Sequence, residues 1–291
     1  MTRTTEPRLR HVQCLGSQGL HRMAYWEWGA ADNPRVLVCV HGLSRQGRDF
    51  DTLARDLCAS HRVVCPDVVG RGRSDRLAEP MGYAVPAYVA DMVTLLARLD
   101  AEQVDWLGTS MGGLIGLGVA SLAGSPVRRL VLNDVGPAIQ WQAIQRIGTY
   151  LGQPVHWCTL DEAADAMWAV SQGFGPHTRE QWLALSRPQL RPDGEGFKPH
   201  YDPAIAVPFR ALTPEIAAAG EAMLWQAYER LRCPTLLLRG AQSDLLSHAT
   251  AQAMTERGPR ARLHEFPGVG HAPMLVQDEQ RQVVRDFLLS P

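Results

Sequence analysis

Short apolar runs alternate with stretches of helical periodicity along the first 133 residues of the chain. Residues 35–40 are apolar after the first position, which is typical of a strand that is covered on both faces. Similar runs at 62–65, 104–107 and 129–132 predict three further strands, and the segments between them carry apolar residues at helical spacing. Because strands that alternate with helices form parallel sheets, the pattern predicts an α/β fold with a mostly parallel, doubly wound sheet.

The pattern changes between residues 136 and 229, where no strand is predicted. This segment holds nine of the 20 prolines and five of the eight tryptophans. Thr159 and Thr178 each precede a Glu or Gln by three positions, a spacing typical of a capping box at the start of a helix. Thr213 is followed by a proline at a first helical position. We therefore predict a helical cap, or lid, at residues 136–229.

The strand pattern resumes after this cap. Residues 234–239 and 262–266 predict two further strands, and a helix with apolar residues on one face follows them. Residues 8–29 predict an antiparallel hairpin at the edge of the sheet. The predicted core domain thus consists of residues 1–135 and 230–291, with the cap inserted between two strands of one sheet.

Composition and charge exclude several classes of protein. The 291 residues are 45% hydrophobic and 20% charged, which suits a large core and does not suit a disordered chain. The formal charge is 29 − 30 = −1, so the chain lacks the basic excess that nucleic acids and anionic membranes attract. No apolar run reaches the roughly 18 residues of a membrane span. The expected partners are a small-molecule ester substrate and water, without nucleic acid or membrane; the oligomeric state stays open.

The six cysteines are scattered without a CxxC pair, so we expect reduced thiols and no metal site. Residues 1–10 carry charges but are not followed by an apolar stretch, so no secretory signal is expected. Together these features predict a cytoplasmic protein.

A pentapeptide of the pattern G-x-S-x-G occupies residues 108–112, where a predicted strand ends and a helix rich in small residues begins. This strand–turn–helix setting is that of a nucleophile elbow, in which a sharp turn lifts a serine hydroxyl above the edge of the sheet. The turn requires neighbours without side chains, and the two glycines meet that requirement. Ser110 is therefore the predicted nucleophile; the alternative is a glycine-rich turn with a capping serine.

Five sequence features, in this order, resemble those of serine-nucleophile members of the α/β-hydrolase superfamily that carry a helical cap. His41-Gly42 is similar to the family's oxyanion loop, and residues 67–75 are similar to its D-x-x-G-x-G-x-S-D turn. Residues 108–112 match the elbow, and Asp244 and His271 stand where the family carries its acid and its base. The resemblance covers nearly the whole chain. It implies the α/β-hydrolase fold, a serine esterase-like activity and no cofactor.

A serine hydroxyl needs a base to become a nucleophile, and that base needs an acid to orient it. His271 lies in a glycine-containing loop directly after the last predicted strand, from which an imidazole can reach the carboxyl edge of the sheet. Asp244 follows the preceding strand and gives the chain order Ser, Asp, His of these hydrolases. Asp134 is the alternative acid, because some relatives carry the acid after the strand that precedes the cap. The predicted triad is Ser110, Asp244 and His271.

The oxyanion loop carries further candidates. The backbone N–H groups of Met111, directly after the nucleophile, and of Leu43, in the loop, are expected to bind the oxyanion. His41 is expected to brace the loop rather than to carry protons. Ser44 and Arg45 continue the loop and can contact a polar end of the substrate, although Arg45 fits a solvated loop cation equally well.

Tryptophans of the cap are candidates for the wall of an acyl pocket. Trp141 and Trp157 are the predicted substrate contacts, and Trp168 and Trp182 share the same segment. Aromatic residues at helical spacing more often pack a lid onto its body, so we expect only one or two of the four to line the pocket.

These features predict a serine hydrolase, a carboxylesterase that cleaves esters of small or medium acyl groups through an acyl-enzyme. Two other hydrolases would use the same triad. One cleaves carbon–carbon bonds of ring-cleavage products, and the other cleaves hydroxyalkanoate oligomers, which differ from simple esters only in the acid chain. A non-catalytic, hydrolase-like ligand receptor is an alternative of a different class. Such a receptor is expected to have a broken triad, whereas the predicted triad of this sequence is complete.

Overall fold

An eight-stranded sheet runs through the centre of the computed structural model, which describes residues 6–290. The first five residues, to which part of the expectation about a secretory signal applies, lie outside the described residues. The strands, in chain order, are β1 (Arg8–Gly16), β2 (Gly19–Trp28), β3 (Val36–Val40), β4 (Arg62–Pro66), β5 (Val104–Thr109), β6 (Val127–Asn133), β7 (Leu190–Asp193), β8 (Gly196–Pro199), β9 (Thr235–Gly240) and β10 (Arg262–Phe266). Their order in the sheet is β1-β2-β4-β3-β5-β6-β9-β10, and β7 and β8 form a separate hairpin.

Helices connect the strands and cover both faces of the sheet. In chain order they are α1 (Asp51–Leu57), α2 (Val85–Leu99), α3 (Met111–Ala120), α4 (Trp141–Tyr150), α5 (Leu160–Ala169), α6 (Arg179–Ser186), α7 (Ala206–Arg210), α8 (Pro214–Arg230), α9 (His248–Glu256) and α10 (Asp278–Leu289). Within residues 6–290, none of them combines the length and the apolar character that a helix needs to cross a bilayer.

The sheet is parallel from β4 across to β10, and β1, β2 and β4 pair antiparallel. This arrangement confirms the predicted doubly wound, mostly parallel sheet. The predicted edge hairpin at 8–29 corresponds to β1 and β2, and the strand predicted at 262–266 has the bounds of β10.

Alternation along β3 explains why its whole run is apolar. Val38 and Val40 belong to one buried cluster, which includes Ile115 of α3 on one face of the sheet. Leu37 belongs to a second cluster, which includes Val284 of α10 on the other face. Because successive side chains of a strand point to opposite faces, a strand that is covered by helices on both sides must be apolar at every position.

Residues 136–229, called the insertion from here on, lie between the end of β6 and the start of β9. They contain α4 to α7 and all of α8 except its last residue, Arg230. Thr159 and Thr178 each form the predicted capping box, with the hydroxyl accepting a backbone N–H and the side chain three positions later closing the box. Thr213 caps α8 by accepting the N–H of Ile216, without a capping box, and Pro214 is the first helical residue. The helices therefore begin where side-chain capping predicts.

The prediction that the insertion has no strand is wrong. Strands β7 and β8 are four residues each and pair antiparallel around a turn in which Gly194 has φ 57°. An Asp-Gly pair at 193–194 is a hairpin signal, since it supplies the left-handed backbone of a tight turn. The flanking strands are too short and too polar for the alternation of apolar residues to reveal them.

Candidate active site

Ser110 lies at a sharp turn between β5 and α3. Its backbone has φ 53° and ψ −119°, a left-handed conformation that a serine adopts only when its surroundings enforce it. A Cβ atom on Gly108 would lie 2.2 Å from the carbonyl oxygen of Gly112, and one on Gly112 would lie 2.0 Å from the carbonyl oxygen of Val40. Both glycines are therefore required by close backbone contacts, and the turn that they permit holds the Ser110 hydroxyl at the carboxyl edge of the sheet.

The imidazole of His271 lies between a hydroxyl and a carboxylate. Its Nε2 atom is 3.0 Å from Oγ of Ser110, and its Nδ1 atom is 2.7 Å from Oδ2 of Asp134. Hydrogen on Nδ1 leaves Nε2 free to accept the hydroxyl proton. The three side chains form a continuous hydrogen-bonded chain, although 161 positions separate Ser110 from His271 in the sequence.

Asp134 is fully buried at the end of β6 and has φ 55°. Its Oδ1 atom accepts the N–H of Gly240 at 2.9 Å, and its Oδ2 atom accepts the hydroxyl of Ser243 at 2.6 Å as well as the contact with His271. A carboxylate with three donors in fixed positions is held in one orientation. It can therefore fix the orientation of the imidazole and stabilise a positive charge on it.

The prediction that Asp244 is the acid partner of His271 is wrong, and the alternative, Asp134, occupies that place. Asp244 lies four residues beyond the end of β9, and its carboxylate accepts two hydrogen bonds from Arg146 of α4, at 2.7 and 3.0 Å. Asp134 follows β6 immediately, and its left-handed backbone turns the carboxylate toward the loop of His271. The chain order Ser, Asp, His holds for both residues, so the order alone could not separate them.

Two residues that the sequence interpretation did not single out support the loop of His271. The side-chain N–H group of Asn133 donates to Oγ1 of Thr109 at 2.9 Å and to the carbonyl of Pro273 at 2.8 Å. The N–H of Gly270 donates to the carbonyl of Gly173 at 2.6 Å. Gly173 belongs to the insertion, so the insertion contributes a hydrogen bond to the position of the imidazole.

A cavity of about 400 Å³ opens above Ser110 and His271. The predicted contacts Leu43, Ser44, Arg45 and Trp157 line it, together with apolar residues of the insertion. Trp141, predicted as a substrate contact, does not line it. The cavity thus has the polar side chains of Ser110 and His271 at its base and a mostly apolar wall.

The two remaining tryptophans of the predicted set pack inside the insertion. Trp182 is buried, and its indole N–H donates to the carbonyl of Ala164 at 2.7 Å. Trp168 packs edge-to-face on Trp182 with ring centroids 5.0 Å apart. These contacts hold α5 and α6 together. Trp182 also belongs to a buried cluster with Met274 and Val276 of the core, so this tryptophan packs the insertion onto the body of the protein.

Comparison with known proteins agrees with this architecture. A family model described as the Alpha/beta hydrolase family matches residues 37–286. This chain belongs to the alpha/beta hydrolase family.

Relatives of this hydrolase are similar over almost its full length. A 3-hydroxybutyrate-oligomer hydrolase of Cupriavidus necator is 55% identical over 288 residues, which cover 98% of each chain. A putative hydrolase from Rickettsia typhi has a similar structure, with a TM-score of 0.88, 28% identity and coverage of 98% of this chain and 99% of the other. An alpha/beta hydrolase from Novosphingobium aromaticivorans gives a TM-score of 0.84 at 34% identity, with 97% and 98% covered. The chain is therefore a hydrolase.

The loop at residues 41–45 of the hydrolase is braced by a buried histidine, His41. The N–H of Val68 donates to Nε2 of His41 at 2.9 Å, so Nδ1 carries the proton and donates to the carbonyl of Gly42 at 2.7 Å. Burial lowers the pKa of His41 from 6.5 to about 3, because the imidazolium has no water around it. These contacts agree with the expectation that His41 is structural.

A pH dependence of stability follows from His41. Its folded-state pKa is depressed, so between pH 6.5 and 3 the unfolded chain binds more protons than the folded one. Through this titration, the unfolding free energy of the wild type is about 2 kcal/mol lower at pH 5 than at pH 7.5. His41→Gln removes this titration. We expect the difference in unfolding free energy between wild type and His41→Gln, from urea titrations, to shrink by that amount from pH 7.5 to 5. A difference that is independent of pH would contradict the argument.

The buried guanidinium of Arg71 contacts two segments beside Ser110: the loop that contains Leu43 and the start of α3 at Met111. Arg71 is 1% exposed; its Nε atom donates to the carbonyl of Leu43 at 2.8 Å, and Nη2 lies 3.6 Å from Sδ of Met111. Nη1 donates to the carbonyl of Val69 at 2.8 Å and to the hydroxyl of Tyr88 at 2.9 Å. All these partners are uncharged. Arg71 therefore places its positive charge next to the loop at residues 41–45 and the start of α3.

Arg45 is held within the cavity wall. Its guanidinium makes a two-pronged ion pair with the buried carboxylate of Asp49, at 2.8 and 2.7 Å. Asp49 also accepts the side-chain N–H of Gln189 at 2.8 Å. The alternative of a solvated loop cation is therefore wrong, because Arg45 is mostly buried and its charge is matched by a neighbouring carboxylate.

One group of possible metal ligands lies elsewhere in the hydrolase. Cys14, His21 and Asp91 are buried, and their donor atoms lie within 4.8 Å of one another. Burial raises the pKa of the Cys14 thiol to about 12, and its Sγ atom lies 4.0 Å from the carbonyl oxygen of Asp91. His21 Nε2 is 3.0 Å from Oδ2 of Asp91, within hydrogen-bond distance. These contacts make the three side chains a buried polar cluster that joins β1 and β2 to α2.

Proposed function

We propose that this chain is a serine hydrolase that cleaves the ester bonds of 3-hydroxybutyrate oligomers through an acyl-enzyme. The observation that carries the proposal is the hydrogen-bonded chain from Ser110 through His271 to Asp134 at the base of the cavity. This is the arrangement that activates a serine toward a carbonyl carbon. The insertion, residues 136–229, acts as the cap that closes the cavity over the substrate.

The first half of the reaction forms the acyl-enzyme. Oγ of Ser110 bonds to the ester carbonyl carbon, and its proton moves to Nε2 of His271. The carboxylate of Asp134 stabilises the resulting imidazolium. His271 then gives the proton to the alcohol oxygen as the carbon–oxygen bond breaks, and the alcohol leaves with that proton.

The second half repeats these steps with water. His271 takes a proton from water, whose oxygen bonds to the acyl carbon. The bond from that carbon to Oγ of Ser110 breaks, and Oγ recovers the proton from His271. Ester and water are thereby converted into one carboxylic acid and one alcohol, and the enzyme returns to its starting state.

Negative charge develops on the carbonyl oxygen in both halves, and its cost is the main part of the activation barrier. We assign the stabilisation of this charge to the N–H groups of Leu43 and Met111. Met111 is the first residue of α3, and the first N–H group of a helix has no partner within the helix. Leu43 lies in the loop beside Ser110, since a Cβ atom on Gly42 would be 3.7 Å from Cβ of Ser110. Donors that are already in place stabilise an oxyanion without having to reorganise.

The choice of substrate rests on the relative that is 55% identical and acts on 3-hydroxybutyrate oligomers. Such oligomers are chains of short ester-linked units, which agrees with the expectation of small acyl groups. The cavity of about 400 Å³ and its mostly apolar wall suit a chain of this kind.

Product analysis tests the proposal. The wild-type chain is incubated with the linear dimer and trimer of 3-hydroxybutyrate, and the release of monomer is followed by chromatography. Ser110→Ala serves as the control for contaminating activity. We expect monomer release by the wild type and about 10⁴-fold less by the variant. Hydrolysis of p-nitrophenyl esters without cleavage of the dimer or the trimer would contradict the substrate assignment, and cleavage of a ring-cleavage ketone alone would indicate a carbon–carbon hydrolase.

Arg71 gives a prediction about the oxyanion donors. Arg71→Lys keeps the charge but loses the planar fork that contacts Leu43 and Met111 together. We expect kcat for p-nitrophenyl butyrate to fall about 10- to 100-fold, with a smaller change in KM, because a small misplacement of the donors weakens transition-state binding. Arg73→Lys, in the same turn and exposed, is the matched control. A kcat of Arg71→Lys within twofold of wild type would contradict this role.

A further inference from the structure

An ion pair joins the insertion to the core at the edge of the active-site cavity. Arg146 of α4 donates to Oδ2 of Asp244 at 2.7 Å and to Oδ1 at 3.0 Å. The two side chains are 42% and 48% exposed, so water reaches both of them. Exposed ion pairs contribute little net free energy, because the charges are nearly as well solvated apart as together. Arg146 can therefore exchange Asp244 for another carboxylate at small cost.

Arg146 stands on the His271 side of the catalytic residues. A second cavity of about 330 Å³ is lined by Arg146, Asp244 and His271, and it shares Arg146 and His271 with the larger cavity above Ser110. The two cavities therefore meet at these residues. His271 is the group that gives a proton to the departing alcohol, so the alcohol part of the substrate lies beside it. A negative charge on the alcohol part of the substrate would therefore lie in the space beside His271 that Arg146 also lines.

Arg45, the other arginine of the larger cavity, is not equally available. Its partner Asp49 is buried and also accepts a hydrogen bond from Gln189. A substrate carboxylate at Arg45 would lie beside the Asp49 carboxylate without water between them, which is unfavourable. Asp244, in contrast, can turn into solvent when a substrate carboxylate replaces it at Arg146.

We propose that Arg146 binds the free carboxylate of the substrate, on the side of the departing alcohol, and that Asp244 holds the guanidinium in place while the site is empty. The inference rests on the proposed function. A linear 3-hydroxybutyrate oligomer ends in one free carboxylate, and the alcohol released from its last ester bond is a hydroxy acid that carries this group. The planar guanidinium fits such a carboxylate with two parallel hydrogen bonds. The enzyme then selects acidic oligomers over neutral esters that contain the same scissile bond.

The test compares one ester bond with and without the neighbouring charge. kcat/KM for the bond between the two 3-hydroxybutyrate units is measured for the linear dimer and for its methyl ester, with wild type, Arg146→Gln, Arg146→Lys and Arg257→Gln. Because the methyl ester has a second ester bond, its cleavage is counted from the release of methyl 3-hydroxybutyrate. Arg257 is the matched control, since it makes two hydrogen bonds to Glu229 of α8 at 43% and 46% exposure, and it does not line either of the two cavities.

We expect wild type to prefer the dimer acid over its methyl ester, and Arg146→Gln to reduce that preference about 10- to 100-fold, mainly through KM of the acid. Arg146→Lys should retain part of the preference, and Arg257→Gln all of it. Asp244→Asn removes the competing carboxylate, so KM for the acid should fall a few-fold.

Two results would overturn the inference and leave the proposed function intact. One is an equal loss on the acid and on the methyl ester in Arg146→Gln, and the other is an equal change of preference in Arg257→Gln. If wild type cleaves neither the dimer nor its methyl ester, the proposed function fails and the inference fails with it.

Discussion

Ser110→Ala is expected to lower kcat/KM for p-nitrophenyl butyrate by about 10⁴-fold or more, because the acyl-enzyme then has no oxygen on which to form. The variant should fold as wild type does. The left-handed backbone of residue 110 is enforced by the contacts of Gly108 and Gly112, and alanine is no bulkier than serine at this position. Activity is measured spectrophotometrically, and folding by circular dichroism.

Ser121→Ala is the matched control for this prediction. Ser121 follows the last residue of α3, the helix that begins directly after Ser110, and its hydroxyl donates to the carbonyl of Gly118 at 2.9 Å. It should retain wild-type activity. An organophosphonate ester should label the wild type once, at Ser110, and should not label Ser110→Ala. Residual turnover of the variant near the wild-type rate, or a covalent adduct on another serine, would refute the assignment of the nucleophile.

Asp134→Asn is expected to lower kcat by about 10³- to 10⁴-fold, with little change in KM. The side-chain amide is nearly isosteric but uncharged, so it neither stabilises the imidazolium nor selects the tautomer with the proton on Nδ1 of His271. Because Asp134 also accepts the N–H of Gly240 and the hydroxyl of Ser243, the thermal unfolding temperature is measured alongside the kinetics.

Asp244→Asn separates the two candidate acids. On the same neutral p-nitrophenyl ester it should retain at least about a tenth of wild-type kcat, because an exposed carboxylate bonded to Arg146 does not touch the imidazole. A loss in Asp244→Asn as large as that in Asp134→Asn would show that the hydrogen bond from His271 to Asp134 is not the one that serves catalysis.

The parallel core was predictable because its signal is local and repeated. Every position of β3 is apolar, since helices cover both faces of the strand, and the apolar runs at 63–65 in β4, 106–107 in β5 and 236–238 in β9 have the same cause. The helix starts at Thr159 and Thr178 were equally predictable, since a capping box is complete within four residues. The hairpin of β7 and β8 was not, because its strands pack too little apolar surface to impose a pattern.

The contact between Ser110 and His271 was predictable from positions at strand ends, where the topology of a parallel sheet brings distant residues together. The carboxylate that His271 contacts was not, because Asp134 and Asp244 both follow neighbouring strands at the same edge. The choice between them depends on a backbone angle of 55° at Asp134 and on a cation, Arg146, that arrives from the insertion. Neither can be read from the residues that surround the two aspartates in the sequence.

The contacts of Arg71 are long-range side-chain contacts, which the sequence does not predict. Its position in the turn at 67–75 was part of the family resemblance, but the sequence did not indicate that its guanidinium contacts Leu43 and Met111. These contacts join segments that lie 28 and 40 positions away in the chain. A long, flexible side chain can reach many partners, and only the packed structure selects among them.

The hydrogen bond from the N–H of Gly270 to the carbonyl of Gly173 limits how this enzyme can be redesigned. A chimera that carries another hydrolase's residues between β6 and β9 would exchange the substrate pocket, but it would also remove an anchor of the loop that holds His271. Grafts should therefore keep the short helical turn at Gln172–Phe174, or supply a carbonyl in its place, if turnover is to survive the exchange.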